Sequence, residues 1–316
     1  MADPVGPAEG CAFAFPGVGV RFCGREAAFA AAHPAVLRYL EAASKGVDLR
    51  SILAGSDTDG VTELDAQRFG FAFSCGVAEG ARTTGLRPML VAGYSHGLYA
   101  ALVAGGALGF GAGLACMEAA YACMKAAKIE PGGLGVIVGL DRGDVEACLE
   151  GEPDNGGPAR ALDKQRRPKP PQIVNENHDS SFVIAGAVAP LDRALERAAS
   201  LGALKSLRVR AELPYHHANL APALPAFSRF LDQLAWQPPD CPVLSCIDQA
   251  AIVDVNVLKR HVTANLATPI HWRRTVEAMA ARKISTVLEC GAGISLTQNA
   301  RFLACSPRFV PIGRVP

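Results

Sequence analysis

The sequence predicts an α/β protein with a largely parallel sheet and a second, smaller unit of strands and helices. Short apolar runs typical of buried strands occur at 11–16 (CAFAFP) and 88–93 (PMLVAG). They alternate with segments of helical periodicity at 25–44, 66–83 and 98–108. This alternation favours parallel strands covered by helices.

The second unit begins near residue 131, where the order of predicted elements changes to βαββαβ. That order is typical of a ferredoxin-like unit. Its predicted strands are 134–140, 172–178, 181–187 and 204–210, and its predicted helices are 143–150 and 191–202. The stretch 151–171 is rich in Gly, Pro and charge and is predicted to be a mobile loop. Beyond residue 209 the chain returns to mixed α/β, with strand candidates at 243–246, 285–291 and 308–313.

The composition excludes several classes of protein. The chain has 316 residues, with 31 basic and 30 acidic side chains, so no overall charge favours nucleic acid or a membrane surface. No apolar run approaches the roughly 18–20 residues of a membrane span, and no secretion signal is visible. Ten scattered cysteines lack ligand spacing and are expected to be free thiols. We therefore expect a cytoplasmic protein with no metal and no cofactor.

A candidate nucleophile lies between the second predicted strand and the helix after it. The motif Gly-Tyr-Ser-His-Gly at 93–97 has the Gly-x-Ser-x-Gly pattern that exposes a serine on a sharp strand-to-helix turn. Ser95 is therefore predicted to be a nucleophile; the alternative is a serine that only caps the helix. A serine nucleophile needs a base, and the irregular stretch ELPYHHANL at 212–220 offers His216 and His217.

Seven motifs in order extend over nearly the whole chain: FAFPGVG (13–19), GYSHGLYAAL (93–102), GGLGVIVGL (132–140), NENHDSSFVIAG (175–186), LPYHHANLAPA (213–223), NLATPIHW (265–272) and VLECGAG (287–293). On these motifs the sequence resembles the malonyl-CoA:acyl carrier protein transacylase family, the acyltransferases of fatty-acid and polyketide synthesis. The resemblance implies an α/β-hydrolase-like core, formed by 1–130 and 209–316. It also implies that a ferredoxin-like subdomain at 131–208 interrupts this core.

The resemblance also implies a Ser-His dyad in the cleft between the two parts. By motif position, Ser95 is the nucleophile and His216 is the base. The backbone amides of Val18 and His96 match the two donors of the family's oxyanion hole. In the family a backbone carbonyl orients the imidazole, and Asn265 occupies the matching position.

One departure from the family concerns the acyl group. Malonyl-transferring members bind the free carboxylate with an arginine in the pattern R-G-x-x-M. With Met124 at the methionine position, Ala120 replaces this arginine, and no arginine occurs between Arg87 and Arg142. A malonyl group would then bury an unpaired charge. We therefore expect a different acyl group. Ala120 is one predicted pocket residue, and the others are Gln67, Leu98, Tyr121, Tyr215 and His217.

The expected activity is transfer of an acyl group, not malonyl, from acyl-CoA or an acyl carrier protein, through an ester on Ser95, to an acyl carrier protein. Two alternatives keep the dyad: an acyl hydrolase acting on carrier proteins, and a malonyl-CoA:acyl carrier protein transacylase. A third is an esterase that uses Ser95 and Asp248 with His261 or His271. A fourth is a carrier-protein binder without activity.

The expected partner is the acyl carrier protein with its phosphopantetheine arm. Carrier proteins are acidic, so the docking surface should be basic. Two stretches fit that description, DKQRRPKPP at 163–171 and HWRRT at 271–275. The chain itself is expected to be a monomer, as is usual in the family.

Overall fold

The computed structural model describes residues 10–18, 22–54, 61–150 and 169–312. A six-stranded sheet forms the larger part. Its strands are β1 (Cys11–Phe15), β2 (Leu90–Gly93), β7 (Val243–Leu244), β8 (Ala251–Ile252), β9 (Thr286–Glu289) and β10 (Arg308–Val310). Their order is β10-β9-β1-β2-β7-β8. All neighbours are parallel except β7 and β8.

Helices cover both faces of this sheet. They are α1 (Glu26–Ala32), α2 (Pro34–Ala43), α3 (Glu63–Thr83), α4 (Gly97–Ala104), α5 (Phe110–Ala126), α8 (Leu224–Leu231), α9 (Val255–Ala264), α10 (Trp272–Ala281) and α11 (Ser295–Ala300), with 3-10 helices at Leu49–Ala54 and Ala218–Ala223. β1 is buried on both sides, since Phe13 and Phe15 belong to one apolar core, and Ala12 and Ala14 to another. Within the described residues, no helix is long and apolar enough to span a bilayer.

A four-stranded antiparallel sheet forms the smaller part. Its strands are β3 (Gly132–Val138), β4 (Gln172–His178), β5 (Ser181–Ala187) and β6 (Lys205–Val209), with helices α6 (Arg142–Leu149) and α7 (Val188–Ser200). The strand order β4-β5-β3-β6 and the element order βαββαβ are those of a ferredoxin-like unit. Ile137, Phe182 and Ile184 form its core with the two helices. The predicted fold class is confirmed.

The sequence-based boundaries of several helices differ from the structure, and in two of them the difference has a clear physical cause. The helix predicted over 25–44 is two helices, because Pro34 lacks an amide proton and disfavours the helical conformation at His33, whose φ is −124° and ψ 89°. The helix predicted over 66–83 begins earlier, because the Thr62 side chain accepts a hydrogen bond from the Asp65 amide and caps its start. Residues 151–168 of the predicted loop lie outside the described residues.

The two sheets are joined close to the end of β2. Asn175 of β4 donates to the Tyr94 hydroxyl at 2.8 Å, and its side-chain carbonyl accepts the Trp272 amide at 3.0 Å. The Ile270 amide also donates to the Val174 carbonyl at 2.9 Å. The small sheet is therefore anchored beside the turn that follows β2.

That turn is tightly packed. Ser95 has a φ of 55°, which is uncommon for a non-glycine residue. A Cβ at Gly93 would lie 2.1 Å from the Leu98 amide nitrogen, and one at Gly97 would lie 2.1 Å from the Phe15 carbonyl oxygen. Since these contacts are with backbone, only glycine fits at either position.

We expect Gly97→Ala to lower the free energy of unfolding by about 2–3 kcal/mol, because the new methyl must displace the backbone of β1. Denaturant unfolding followed by circular dichroism measures the change. Gly111→Ala is the matched control, since Gly111 is exposed in α5 and a Cβ there meets nothing within 4 Å. This control should be neutral or stabilising by about 0.5–1 kcal/mol. Equal stability of the two variants would contradict the close approach at Gly97.

Candidate active site

A cavity of about 1000 Å³ lies where the turn after β2 faces the small sheet. Val136 and Val183 line it from the small sheet, and Met117 and Ala120 line it from α5. Ser95 opens into this cavity. The site therefore combines one polar turn with largely apolar walls, as is usual for small-molecule pockets.

The structure brings Ser95 and His216 together. The Ser95 Oγ lies 2.6 Å from His216 Nε2, which is hydrogen-bonding distance. Nε2 accepts the serine proton when the imidazole carries its own proton on Nδ1. Ser95 immediately precedes the N-terminal end of α4, where amides and the helix dipole favour negative charge. The arrangement is that of a nucleophile with its general base.

The loop before the second 3-10 helix positions His216. Its backbone has a φ of 63°, and its amide donates to the Leu266 carbonyl at 3.0 Å. Burial lowers the pKa of His216 to about 4, although the carbonyls of Asn265 and Thr268 lie close enough to raise it in part. No described atom meets the geometry of a hydrogen bond to Nδ1. The Asn265 carbonyl thus lies near the His216 ring, and the predicted orienting role of Asn265 stays a prediction.

Val18 and His96, the predicted oxyanion donors, both line the cavity. Among the described residues, neither backbone amide donates a hydrogen bond to a protein acceptor. The His96 ring is buried against Tyr99, with ring centroids 5.7 Å apart, and burial lowers the pKa of His96 to about 4. These contacts support the expectation that His96 acts through its amide, which stays a prediction.

A chain of polar groups forms another part of the cavity wall. The Tyr215 hydroxyl donates to Glu63 Oε1 at 2.6 Å and accepts from Gln67 Nε2 at 2.9 Å. The other Glu63 oxygen, Oε2, accepts the Glu212 amide at 2.7 Å. Burial and the Glu63 carboxylate raise the pKa of Tyr215 well above its usual range. Of the predicted pocket residues, Gln67, Ala120 and Tyr215 all line the cavity.

Three other predicted pocket residues do not line it. Leu98 packs against the main apolar core. Tyr121 donates its hydroxyl to Glu212 Oε2 at 2.9 Å, on the exposed side of α5. His217 is fully buried. Its Nδ1 accepts the Asn219 amide at 3.1 Å, and this hydrogen bond caps the second 3-10 helix. Hydrogen bonds and packing turn these side chains away from the cavity.

Sequence reasoning missed Glu63. It lies four residues before Gln67 on α3, so both side chains share one face of the helix. That spacing was a usable signal. What the spacing does not give is the contact with Tyr215, because the two residues are distant in the chain and meet only when the fold forms.

The alternative esterase triad is not assembled around Ser95 with His261. His261 Nδ1 lies 3.1 Å from Ser245 Oγ, and its Nε2 lies 3.6 Å from Asp248 Oδ2. The Ser245 hydroxyl also accepts the amides of Ile247 and Asp248, so it stabilises a local turn. His261 therefore has partners other than Ser95.

The chain is similar to known proteins over nearly its full length. A malonyl CoA-acyl carrier protein transacylase of Salmonella typhimurium is 27% identical over 292 residues, which are 90% of each protein. An acyl-carrier-protein S-malonyltransferase from Burkholderia pseudomallei has a TM-score of 0.83 at 26% identity, over 97% of both chains. A malonyl-transacylase solved in complex with a type II polyketide synthase acyl carrier protein shares the fold, with a TM-score of 0.83 at 24% identity over 96% of both chains. No protein-family model matches the chain.

We expect His216→Ala to slow acylation of Ser95 by a small thioester at least 100-fold, because the serine loses its base. Mass spectrometry of the intact protein over time measures the rate. His261→Ala is the matched control and should retain nearly the full rate. If His261→Ala slowed acylation and His216→Ala did not, the result would favour the esterase triad instead.

The lowered pKa of His216 predicts the pH dependence of the same reaction. The base works while neutral, so the acylation rate should stay constant from pH 8 to about 5 and fall through pH 4 as His216 takes up a proton. In the unfolded chain the pKa of this imidazole is about 6.5, so between about pH 6.5 and 4 the unfolded state binds a proton that the folded state does not. The free energy of unfolding therefore also falls as the pH drops from about 6.5 to about 4. The acylation rate is measured at each pH, and circular dichroism at the same pH checks that the protein is folded. A midpoint near 6.5 would contradict the prediction.

Proposed function

We propose that the chain belongs to the malonyl-CoA:acyl carrier protein transacylase family, to whose members it is similar over nearly its full length, and that it moves an acyl group from a thioester through Ser95 to an acyl carrier protein. The observation that carries the proposal is the 2.6 Å contact of Ser95 Oγ with His216 Nε2 inside a cavity of about 1000 Å³. A buried, neutral imidazole beside a serine at a helix N-terminus is suited to acyl transfer.

The reaction has two matching halves. His216 takes the Ser95 proton while Oγ attacks the thioester carbonyl, and the carbon–sulfur bond breaks as His216 returns the proton to the leaving sulfur. In the second half, the incoming thiol gives its proton to His216 and its sulfur attacks the Ser95 ester. Oγ then leaves and is reprotonated by His216. The backbone amides of Val18 and His96, which donate to no protein acceptor among the described residues, are the proposed donors to the oxyanion in both halves.

The proposed acceptor is the phosphopantetheine thiol of a carrier protein. One relative with this fold is a malonyl-transacylase in complex with an acyl carrier protein. Of the basic stretches considered, 163–168 lies outside the described residues, and Arg273 is engaged by Glu176 and Glu277. Lys205 and Arg210, which the sequence analysis did not single out, lie at the cavity edge and support docking of an acidic partner there.

The identity of the acyl group is the more specific part of the proposal. The names of the relatives favour malonyl, and the comparisons lend no support to another acyl group. Two features of the cavity wall favour an acyl group without a carboxylate: Ala120 at the position of the family's arginine, and the carboxylate of Glu63. On these features we propose a group other than malonyl, and malonyl transfer is the second candidate.

The deciding experiment incubates the protein with a panel of acyl-CoA and acyl-carrier thioesters and measures the intact mass. We expect an acyl adduct on the wild type, none on Ser95→Ala, and transfer of the adduct to an added carrier protein. A stable adduct without carrier and its rapid loss with carrier support the transferase.

Other outcomes overturn parts of the proposal. Rapid loss of the adduct to water without carrier favours the acyl hydrolase. Absence of any adduct favours a protein that only binds carriers. Fastest labelling by malonyl thioester favours the second candidate.

A further inference from the structure

Hydrogen-bond acceptors dominate one part of the acyl cavity wall. Glu63, Gln67 and Tyr215 meet there in the chain of hydrogen bonds described above. All three line the same cavity as Ser95 and Ala120. An acyl group attached to Ser95 therefore shares this cavity with the Glu63 carboxylate.

Counting protons shows what this wall can offer. Tyr215 uses its only O–H to donate to Glu63, and one of its two acceptor positions is taken by Gln67. Glu63 accepts one hydrogen bond on each oxygen, from Tyr215 and from the Glu212 amide, and a carboxylate has about four acceptor positions. The open positions on both side chains are acceptors. A group that approaches these two side chains finds lone pairs and no proton, and the remaining N–H of Gln67 is the one donor among the three residues.

Glu63 forms no salt bridge with any described residue, although Lys205, Arg208 and Arg210 also line the cavity. Within the described residues, no Lys or Arg lies within salt-bridge distance of the Glu63 carboxylate. Lys125 pairs with Glu212 instead, at 2.8 Å. Glu63 is instead stabilised by its two hydrogen bonds and by the N-terminus of α3, where it is the first residue. The family's arginine position is occupied by the methyl group of Ala120, which brings no charge to this wall.

We propose that Glu63 and Tyr215 select the acyl group. They favour one that presents a hydrogen-bond donor, a hydroxyl or an ammonium, and they exclude one that ends in a carboxylate. A donor on the acyl group fills an open acceptor position on Glu63 or Tyr215, whereas a carboxylate meets a like charge and finds no donor on either of these two side chains. This inference rests on the proposed function, because it assumes an acyl group on Ser95.

The test compares four thioesters of similar size: malonyl, butyryl, 3-hydroxypropionyl and 3-aminopropionyl. The rate of Ser95 acylation by each is measured by intact mass on the wild type and on Glu63→Gln. We expect the wild type to react with the hydroxyl and amino compounds at least tenfold faster than with malonyl. Glu63→Gln should raise the ratio of the malonyl rate to the butyryl rate about tenfold, because the like charge is removed.

Two further variants isolate the cause. Tyr215→Phe should reduce the preference for 3-hydroxypropionyl over butyryl, because the acceptor hydroxyl is gone. Glu41→Gln changes an exposed glutamate on α2, away from the cavity, and should leave every ratio unchanged. Each readout is a ratio of two thioesters on the same protein sample, so a loss of folded protein does not alter it.

The failure of this inference is distinguishable from that of the proposed function. If no thioester acylates Ser95, the proposed function is wrong, and the inference falls with it. If Ser95 is acylated but wild type prefers malonyl, or if Glu63→Gln leaves the ratio of malonyl to butyryl unchanged, the inference is overturned while the acyltransferase function stands.

Discussion

The site depends on one backbone constraint, the left-handed conformation of Ser95 with a φ of 55° between β2 and α4. Gly97 lets this turn lie directly against the carbonyl of Phe15, and Gly93 lets the turn fold back on the backbone at Leu98, so the neighbouring strand β1 constrains where the serine lies. His216 also has a positive φ, of 63°. Both members of the dyad therefore have backbone conformations that the surrounding packing must maintain, as is common at functional sites.

Burial affects the two histidines near Ser95 in the same way, but their rings have different contacts. The pKa of each is lowered to about 4, because a charged imidazole loses its hydration in the interior. His216 has a ring nitrogen 2.6 Å from the serine oxygen and is the proposed neutral base. The ring of His96 faces Tyr99 instead, which supports the proposal that His96 acts through its amide. The two imidazoles thus share a lowered pKa and differ in the atoms that they contact.

The sequence predicted the features that local patterns determine. These are the buried strands, the order βαββαβ and the motif around Ser95. The pairing of Ser95 with His216 came from the resemblance to a family, since the two lie far apart in the chain. The contact of Glu63 with Tyr215 has no local pattern, because it forms only when α3 meets the loop before His216. The two-residue strand at Val243–Leu244 is likewise too short for periodicity to reveal its bounds.

Asn175 connects the small sheet to Tyr94, the residue before the nucleophile, and to the start of α10. These two hydrogen bonds join the small sheet to the turn that carries Ser95 and to α10. The same side chain donates one of them and accepts the other, which an aspartate or a leucine could not do. A small subdomain transplanted from a relative would therefore need an amide side chain at this place to keep both contacts.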